Sequence, residues 1–243
     1  MRKLIATLFI VVLATAPAFA DSETDIGAMA AIAYGQHVGA GNPTPVNGVA
    51  PAALIEATQY INKLQLHVEG IPTITATGVG SSGPFGRSSA TISLLDAVLM
   101  MNVDKSRIFR FGIGEQWIGL RNFNGNDGST NSAHLANVIY AAGSTLPLSN
   151  HHFVELTTYA LPNVRTNLAV FNAGGAPQPT EPEQGAEMYY NAAYGWTRGR
   201  STMLLGFAGL SYHTRNTNNG SLVDRNVGGA LTFEYRYRFG AVP

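Results

Sequence analysis

The sequence predicts an all-β chain, an antiparallel up-and-down transmembrane β-barrel of eight strands, with ten as the alternative count. Three observations predict it. Hydrophobic residues make up 45% of the 243 residues. Charged residues make up only 12%, about half the roughly 25% of a soluble domain. Second, no apolar run after residue 20 approaches the ~20 residues of a membrane helix. Third, polar connections between the apolar segments alternate long and short, as external loops and periplasmic turns do in outer-membrane barrels.

The same composition excludes several classes. Lys+Arg and Asp+Glu are equal at 15, so no basic excess exists to neutralise nucleic-acid phosphates. Without cysteine, cysteine-ligated metal, iron–sulfur clusters, thiol catalysis and a disulfide framework are ruled out. No cofactor is implied.

Residues 1–20 read as a secretory signal peptide. Arg2 and Lys3 supply the positive start, Leu4 to Ala14 the apolar core, and Ala18-Phe19-Ala20 the cleavage site before Asp21. With Arg2 and Lys3 removed, acids outnumber bases by two. No lipobox cysteine accompanies the signal.

Residues 21–62 read as an N-terminal extension. Pro51 followed by Ala52-Ala53-Leu54-Ile55-Glu56-Ala57 suits a short periplasmic or plugging helix. The competing reading pairs 26–38 with 53–61 as two more strands. Gly41-Asn42-Pro43-Thr44-Pro45 looks like a linker, which favours eight strands.

The barrel itself is expected over 63–239, with strands near 63–76, 89–102, 106–121, 134–148, 153–170, 186–199, 202–215 and 227–239. Each reaches the ~9–11 residues that cross a bilayer at a tilt. In the first, Leu64, Leu66 and Val68 oppose Lys63, Gln65, His67 and Glu69. In the third, Phe109, Phe111, Ile113 and Trp117 oppose Arg110, Gly112, Gly114 and Gln116, leaving Glu115 on the lipid face unless a bulge resets the register. In the fifth, Val154, Leu156, Val164 and Leu168 oppose Glu155, Thr157, Asn163 and Arg165, with Pro162 as an interruption. In the sixth, Met188, Tyr190, Tyr194 and Trp196 oppose Glu187, Asn191, Gly195 and Thr197. The second and seventh are apolar on both faces, so their phase is ambiguous.

The last strand alternates most strictly. Leu231, Phe233, Tyr235, Tyr237 and Phe239 occupy one face, and Thr232, Glu234, Arg236 and Arg238 the other. Here the chain resembles small bacterial outer-membrane β-barrels of the OmpA/OmpX type. The resemblance implies that Phe239 is the terminal aromatic read by barrel assembly machinery, although Gly240-Ala241-Val242-Pro243 follows it. It also implies outer-membrane lipid as surroundings and loops that meet an unspecified surface ligand. Nothing after the last strand suggests a peptidoglycan-binding domain.

The alternation assigns ten charges to the lumen. They are Lys63, Arg110, Arg165, Arg236 and Arg238 against Glu69, Asp96, Glu155, Glu187 and Glu234. Buried charges are costly unless paired, and an eight-stranded barrel is only wide enough for side chains to fill. The expectation is a salt-bridge network that plugs the lumen. The competing reading is a charge-lined path for small solutes.

Catalytic constellations are weak. His151-His152 with Glu155 lacks converging metal ligands. Barrel lipid A deacylases carry a His-x-Ser motif, whereas His213-Thr214 leads to Arg215. His134 with Asp127, Ser129 and Ser132 is a chance-level Ser/His/Asp set in a polar loop. Gly112-x-Gly114 lies in a strand, where small residues relieve crowding rather than cradle phosphate. The leading expectation is therefore a structural or surface-interaction barrel. A transport barrel comes second and a lipid-modifying enzyme third.

Overall fold

The computed structural model describes residues 23–39, 42–77, 89–103, 108–123, 130–171, 176–178 and 183–240. The expected signal segment 1–20 lies outside them, as do the loop positions 78–88, 124–129, 172–175 and 179–182.

Every regular element among the described residues is a strand. In chain order these are β1 (Glu23–Gly39), β2 (Asn42–Ile61), β3 (Leu64–Thr77), β4 (Ser89–Asn102), β5 (Phe109–Phe123) and β6 (Thr130–Pro147). There follow β7 (His152–Phe171), the two-residue β8 (Pro177–Gln178), β9 (Glu183–Arg198), β10 (Ser201–Asn216) and β11 (Leu222–Phe239). Ten long strands pair with their neighbours, and β1 pairs with β11 while β6 pairs with β7, so the antiparallel sheet closes on itself. β8 adds a short rung to β7 beyond the closed wall. Closure pairs every long strand on both sides over at least part of its length, as a β structure in lipid requires.

The count is ten, the alternative, because residues 23–61 build β1 and β2 instead of an extension with a helix. The β1–β11 ladder runs without a break from Thr24↔Phe239 to Gly39↔Asp224. On its other side β1 pairs with β2 from Glu23↔Tyr60 through Ala31↔Ala52 and beyond. Helix propensity is worth only tenths of a kcal/mol per residue. The continuous ladder to β1 outweighs it. The apparent linker Asn42-Pro43-Thr44-Pro45 opens β2. Its prolines are tolerated because β2 pairs with β3 only between Ile55↔Gly70 and Ile61↔Leu64, which leaves Pro43, Pro45 and Pro51 without a β3 partner.

Tight turns gather at one end of the barrel. Asn62 (φ 57°) and Gly199 (φ 61°) adopt the left-handed conformation that the β2–β3 and β9–β10 turns require. The opposite, loop end holds the Gly39↔Asn42 end of the β1–β2 ladder and the connection between Asn216 of β10 and Leu222 of β11.

Alternation sorts the walls. Outward residues are apolar and open, with Leu231 67% and Ile32 66% exposed. An apolar band of this kind suits lipid and not water. Inward, β4 to β7 contribute Val98, Met100, Ile118, Ile139, Ala141, Tyr159, Leu161 and Val164 to one packed cluster. That cluster also resolves the ambiguous phase of 89–102, since Asp96, Val98 and Met100 are its buried, inward set.

Two irregularities predicted from sequence have different outcomes. No bulge interrupts β4–β5 or β5–β6, so Glu115 stays outward and exposed between Ile113 and Trp117. At Pro162 the strand continues, but its register to β9 shifts between Leu161 and Val164. The phase flips there. Val164 is buried and Asn163 exposed, the reverse of the expected facing. At Gly114 a Cβ would lie 2.0 Å from the Ala97 carbonyl oxygen, so β4 and β5 approach where only glycine fits.

Candidate functional site: the charged interior

The inward face of β11 sets the site. Strict alternation points Glu234, Arg236 and Arg238 into the barrel. Across the β1–β11 ladder they meet Met29, Gly27 and Asp25. Gly27 decides what Arg236 can do. A Cβ there would sit 2.8 Å from Glu56 Cγ and 3.1 Å from Arg236 Cγ, so the bare backbone leaves room for the two to meet.

Arg236 Nε lies 2.6 Å from Glu56 Oε1 on β2 and also contacts Glu234 Oε1. Its Nη1 and Nη2 donate to Glu155 Oε2 at 3.0 Å and Oε1 at 2.9 Å. Glu155 stands on β7, separated from β11 by β9 and β10. The guanidinium therefore bridges the interior from wall to wall. Its bidentate geometry is the strong form of such a pair.

Arg110 joins from β5. Its Nη1 donates to Thr145 Oγ1 at 2.8 Å, and its Nη2 donates to Thr157 Oγ1 at 3.1 Å and lies 3.8 Å from Glu155 Oε2. Gly143 makes way for this guanidinium, since a Cβ there would fall 2.6 Å from Arg110 Nε. Nearer the turn end Arg238 grips Asp25 with two bonds of 2.8 and 2.9 Å, and it lies over the Tyr60 ring. Tyr60 donates its own hydroxyl to Asp25 Oδ2 at 3.1 Å.

A second group centres on β3 and β4. The Tyr189 hydroxyl lies 2.6 Å from Asp96 Oδ2 and 2.8 Å from Glu69 Oε1, so one proton serves two carboxyl groups. Tyr159 stacks on Tyr189 with ring centroids 4.4 Å apart, holding the phenol in place. His67 Nε2 is 3.4 Å from Glu69 Oε2, and its Nδ1 is 2.8 Å from Thr58 Oγ1. Ligand atoms of Glu56, His67 and Glu69 all lie within 4.8 Å of one another, a spacing that can hold a metal ion.

Of the residues assigned from sequence, Arg110, Glu155, Glu234 and Arg236 form one network. Glu69 and Asp96 form the other, and Arg238 pairs at the turn end. Glu187 faces inward on β9 without an ion-pair partner among the described residues. Lys63 sits instead in the exposed β2–β3 turn. Arg165 lies on β7 beyond the register shift, so the alternation behind its assignment no longer applies, and its side chain is outside the described residues. Phe239 ends β11 on the outer face, edge-on to Tyr237 at 4.8 Å.

Sequence reasoning missed Asp25 and Glu56 because both fall in the segment read as an extension. Their inward partners on the last strand were the available signal. It also left Tyr159 and Tyr189 unassigned, although the alternation of their segments sets both on the inward side, where the ladder places them opposite each other. With these additions and Glu23, which pairs with Arg238, the described interior holds Glu23, Asp25, Glu56, Glu69, Asp96, Glu155, Glu187 and Glu234 against Arg110, Arg236 and Arg238. The balance of five against five becomes an excess of carboxylates.

The catalytic sets do not assemble among the described residues. His152 stacks on Tyr194, and its Nδ1 lies 2.7 Å from the Tyr194 hydroxyl. His213 is exposed on the outward face of β10. Asp127 and Ser129 lie outside the described residues, as do the side chains of Ser132 and His134.

No protein-family model and no curated protein matches the sequence. Solved structures do. The outer membrane protease OmpT from Escherichia coli aligns with a TM-score of 0.57 at 12% identity, covering 90% of this chain and 97% of that one. The translocator domain of autotransporter NalP from Neisseria meningitidis aligns with a TM-score of 0.44 at 10% identity, covering 98% and 97%. The likeness to the protease is one of fold, and by it the chain shares the closed antiparallel barrel found in bacterial outer-membrane proteins.

Proposed function

We propose that this chain is a bacterial outer-membrane barrel closed to free solute flow, with a structural or surface-interaction role. It is exported by its N-terminal signal, and its loop end carries the recognition surface. One observation carries the reading: Arg236 crosses the interior from β11 to a bidentate grip on Glu155 of β7 while touching Glu56 of β2. With the Tyr159–Tyr189 stack and the apolar cluster of β4 to β7 beside it, the cross-section is occupied by side chains that hold one another. The apolar outer face supports lipid as its surroundings, and Phe239 is the residue offered to assembly machinery.

Planar-bilayer recording tests the closed lumen. Purified protein gives no stable open level, and R236A together with E155A admits current. A large, stable conductance from the unaltered chain would overturn the reading. A transport role is favoured by one specific feature: among the described residues the β2–β3 ladder does not extend beyond Ile55↔Gly70. That seam suits sideways passage of a small apolar solute between lumen and lipid. It predicts uptake of an apolar tracer by cells making the protein, and none of a polar tracer of equal size.

A further inference from the structure

We propose that Glu56, His67 and Glu69 form a divalent-metal site inside the barrel, of the mixed nitrogen–oxygen kind that takes Zn²⁺ or Mn²⁺. Glu56 and Glu69 face each other directly across the β2–β3 ladder, and His67 stands opposite Thr58 one inward step away. All three side chains are buried, with their ligand atoms within 4.8 Å. Thr58 Oγ1 engages Nδ1 of the imidazole at 2.8 Å, which leaves Nε2 turned to the carboxylates. A hydrogen bond on the far ring nitrogen is how proteins orient a ligating histidine.

Two orphan oxygens point to what is to be held. Among the described residues Asp96 Oδ1 and Glu234 Oε2 have no hydrogen-bond partner, though Asp96 is 0% and Glu234 1% exposed. Asp96 lies directly across the β3–β4 ladder from Glu69, and both accept from the Tyr189 hydroxyl. Glu234 and Glu56 share the Arg236 Nε. Two further buried carboxyl groups thus flank the three ligands. Buried acceptors without a donor are expensive, and adjacent carboxylates repel unless positive charge lies between them. The nearest arginine does not cover both, because Arg236 spends its Nη atoms on Glu155 and only its Nε on Glu56 and Glu234.

The donor set selects the metal. One imidazole with carboxylates matches Zn²⁺ or Mn²⁺, whereas Ca²⁺ asks for six to eight oxygens and Cu(I) for thiolate or thioether. Toward the loop end the inward positions Ala31, Ala33 and Ala230 are small and half-buried.

The experiment uses the full mature chain without an affinity tag, folded in detergent, stripped with chelator and equilibrated with Zn²⁺ or Mn²⁺ alone. The unaltered protein retains one ion per chain after desalting, and its thermal midpoint rises with metal. H67Q weakens retention about tenfold or more, while E115Q on the outer wall leaves it unchanged. Heat-modifiable gel migration confirms that each variant is folded. X-ray absorption of the zinc-loaded wild type needs no variant and shows one imidazole among oxygen ligands. Failure of the wild type to retain metal at neutral pH means the carboxyl pairs share protons instead, and overturns the site. Unaltered retention by folded H67Q, or a spectrum without imidazole, overturns it as well.

Discussion

Gly27 lies directly across the β1–β11 ladder from Arg236, and the side chain it lacks is the space in which Arg236 meets Glu56. A methyl group at that point would come 2.8 Å from both Cγ and Oε1 of Glu56. G27A should therefore destabilise the folded barrel by about 1–3 kcal/mol, the range for overpacking a filled interior. G27L should do worse. Urea unfolding in lipid vesicles measures both, and a neutral G27L would show that the two side chains can part freely.

The Arg236–Glu155 bridge makes a second prediction with a distinctive pattern. Removing one partner leaves the other buried and uncompensated, at roughly 3–5 kcal/mol. R236M and E155Q should each lose stability on that scale. The double variant should lose clearly less than the two losses added, because neither charge is then stranded. Strict additivity in the double-mutant cycle would mean that the bidentate geometry does not couple the pair. Glu56 and Glu234 also border the guanidinium, so R236M should prove the costlier single change.

How much of this was legible follows from where the information lies. The last strand could be read outright, because Leu231 to Phe239 alternate without exception and each residue's facing is a local property. Glu115 was legible for the same reason. Glu56 was not. Its segment carries Ala-rich helix-forming residues behind prolines, and only pairing with β1, whose other edge holds the distant β11, makes it a strand. The inward set of β7 was readable as far as Leu161 and lost at Pro162, where one register shift inverts Asn163 and Val164. Contacts such as Tyr189 with Glu69 join residues 120 positions apart. They depend on barrel closure, which no local pattern encodes.

Phe239 gives a prediction about assembly, separate from stability. It ends β11 on the outer face against Tyr237, and it pairs across the ladder with Thr24 at the closing seam of the barrel. F239A should lower the share of chain recovered folded in the outer membrane, judged by heat-modifiable migration after a short pulse of synthesis. Refolding of the purified variant from urea into detergent should be nearly unchanged, since an exposed edge contact carries little packing. A refolding defect as large as the cellular one would reduce its role to packing.

Glu115 poses the opposite case, a residue whose replacement should help. It stands midway along β5 and outward, with Ile113 and Trp117 as its neighbours on that face, Ala97 across one ladder and Val138 across the other. Cationic side chains at the lipid midplane cost about 2–4 kcal/mol and acidic ones less. E115L should accordingly raise stability by about 1 kcal/mol in vesicles, whereas in short-chain detergent, where water reaches the wall, the gain should shrink. The contrast between the two media is the informative measurement. A gain of equal size in both would trace to strand packing, and a loss in vesicles would mean that the carboxylate meets a partner on the outer wall.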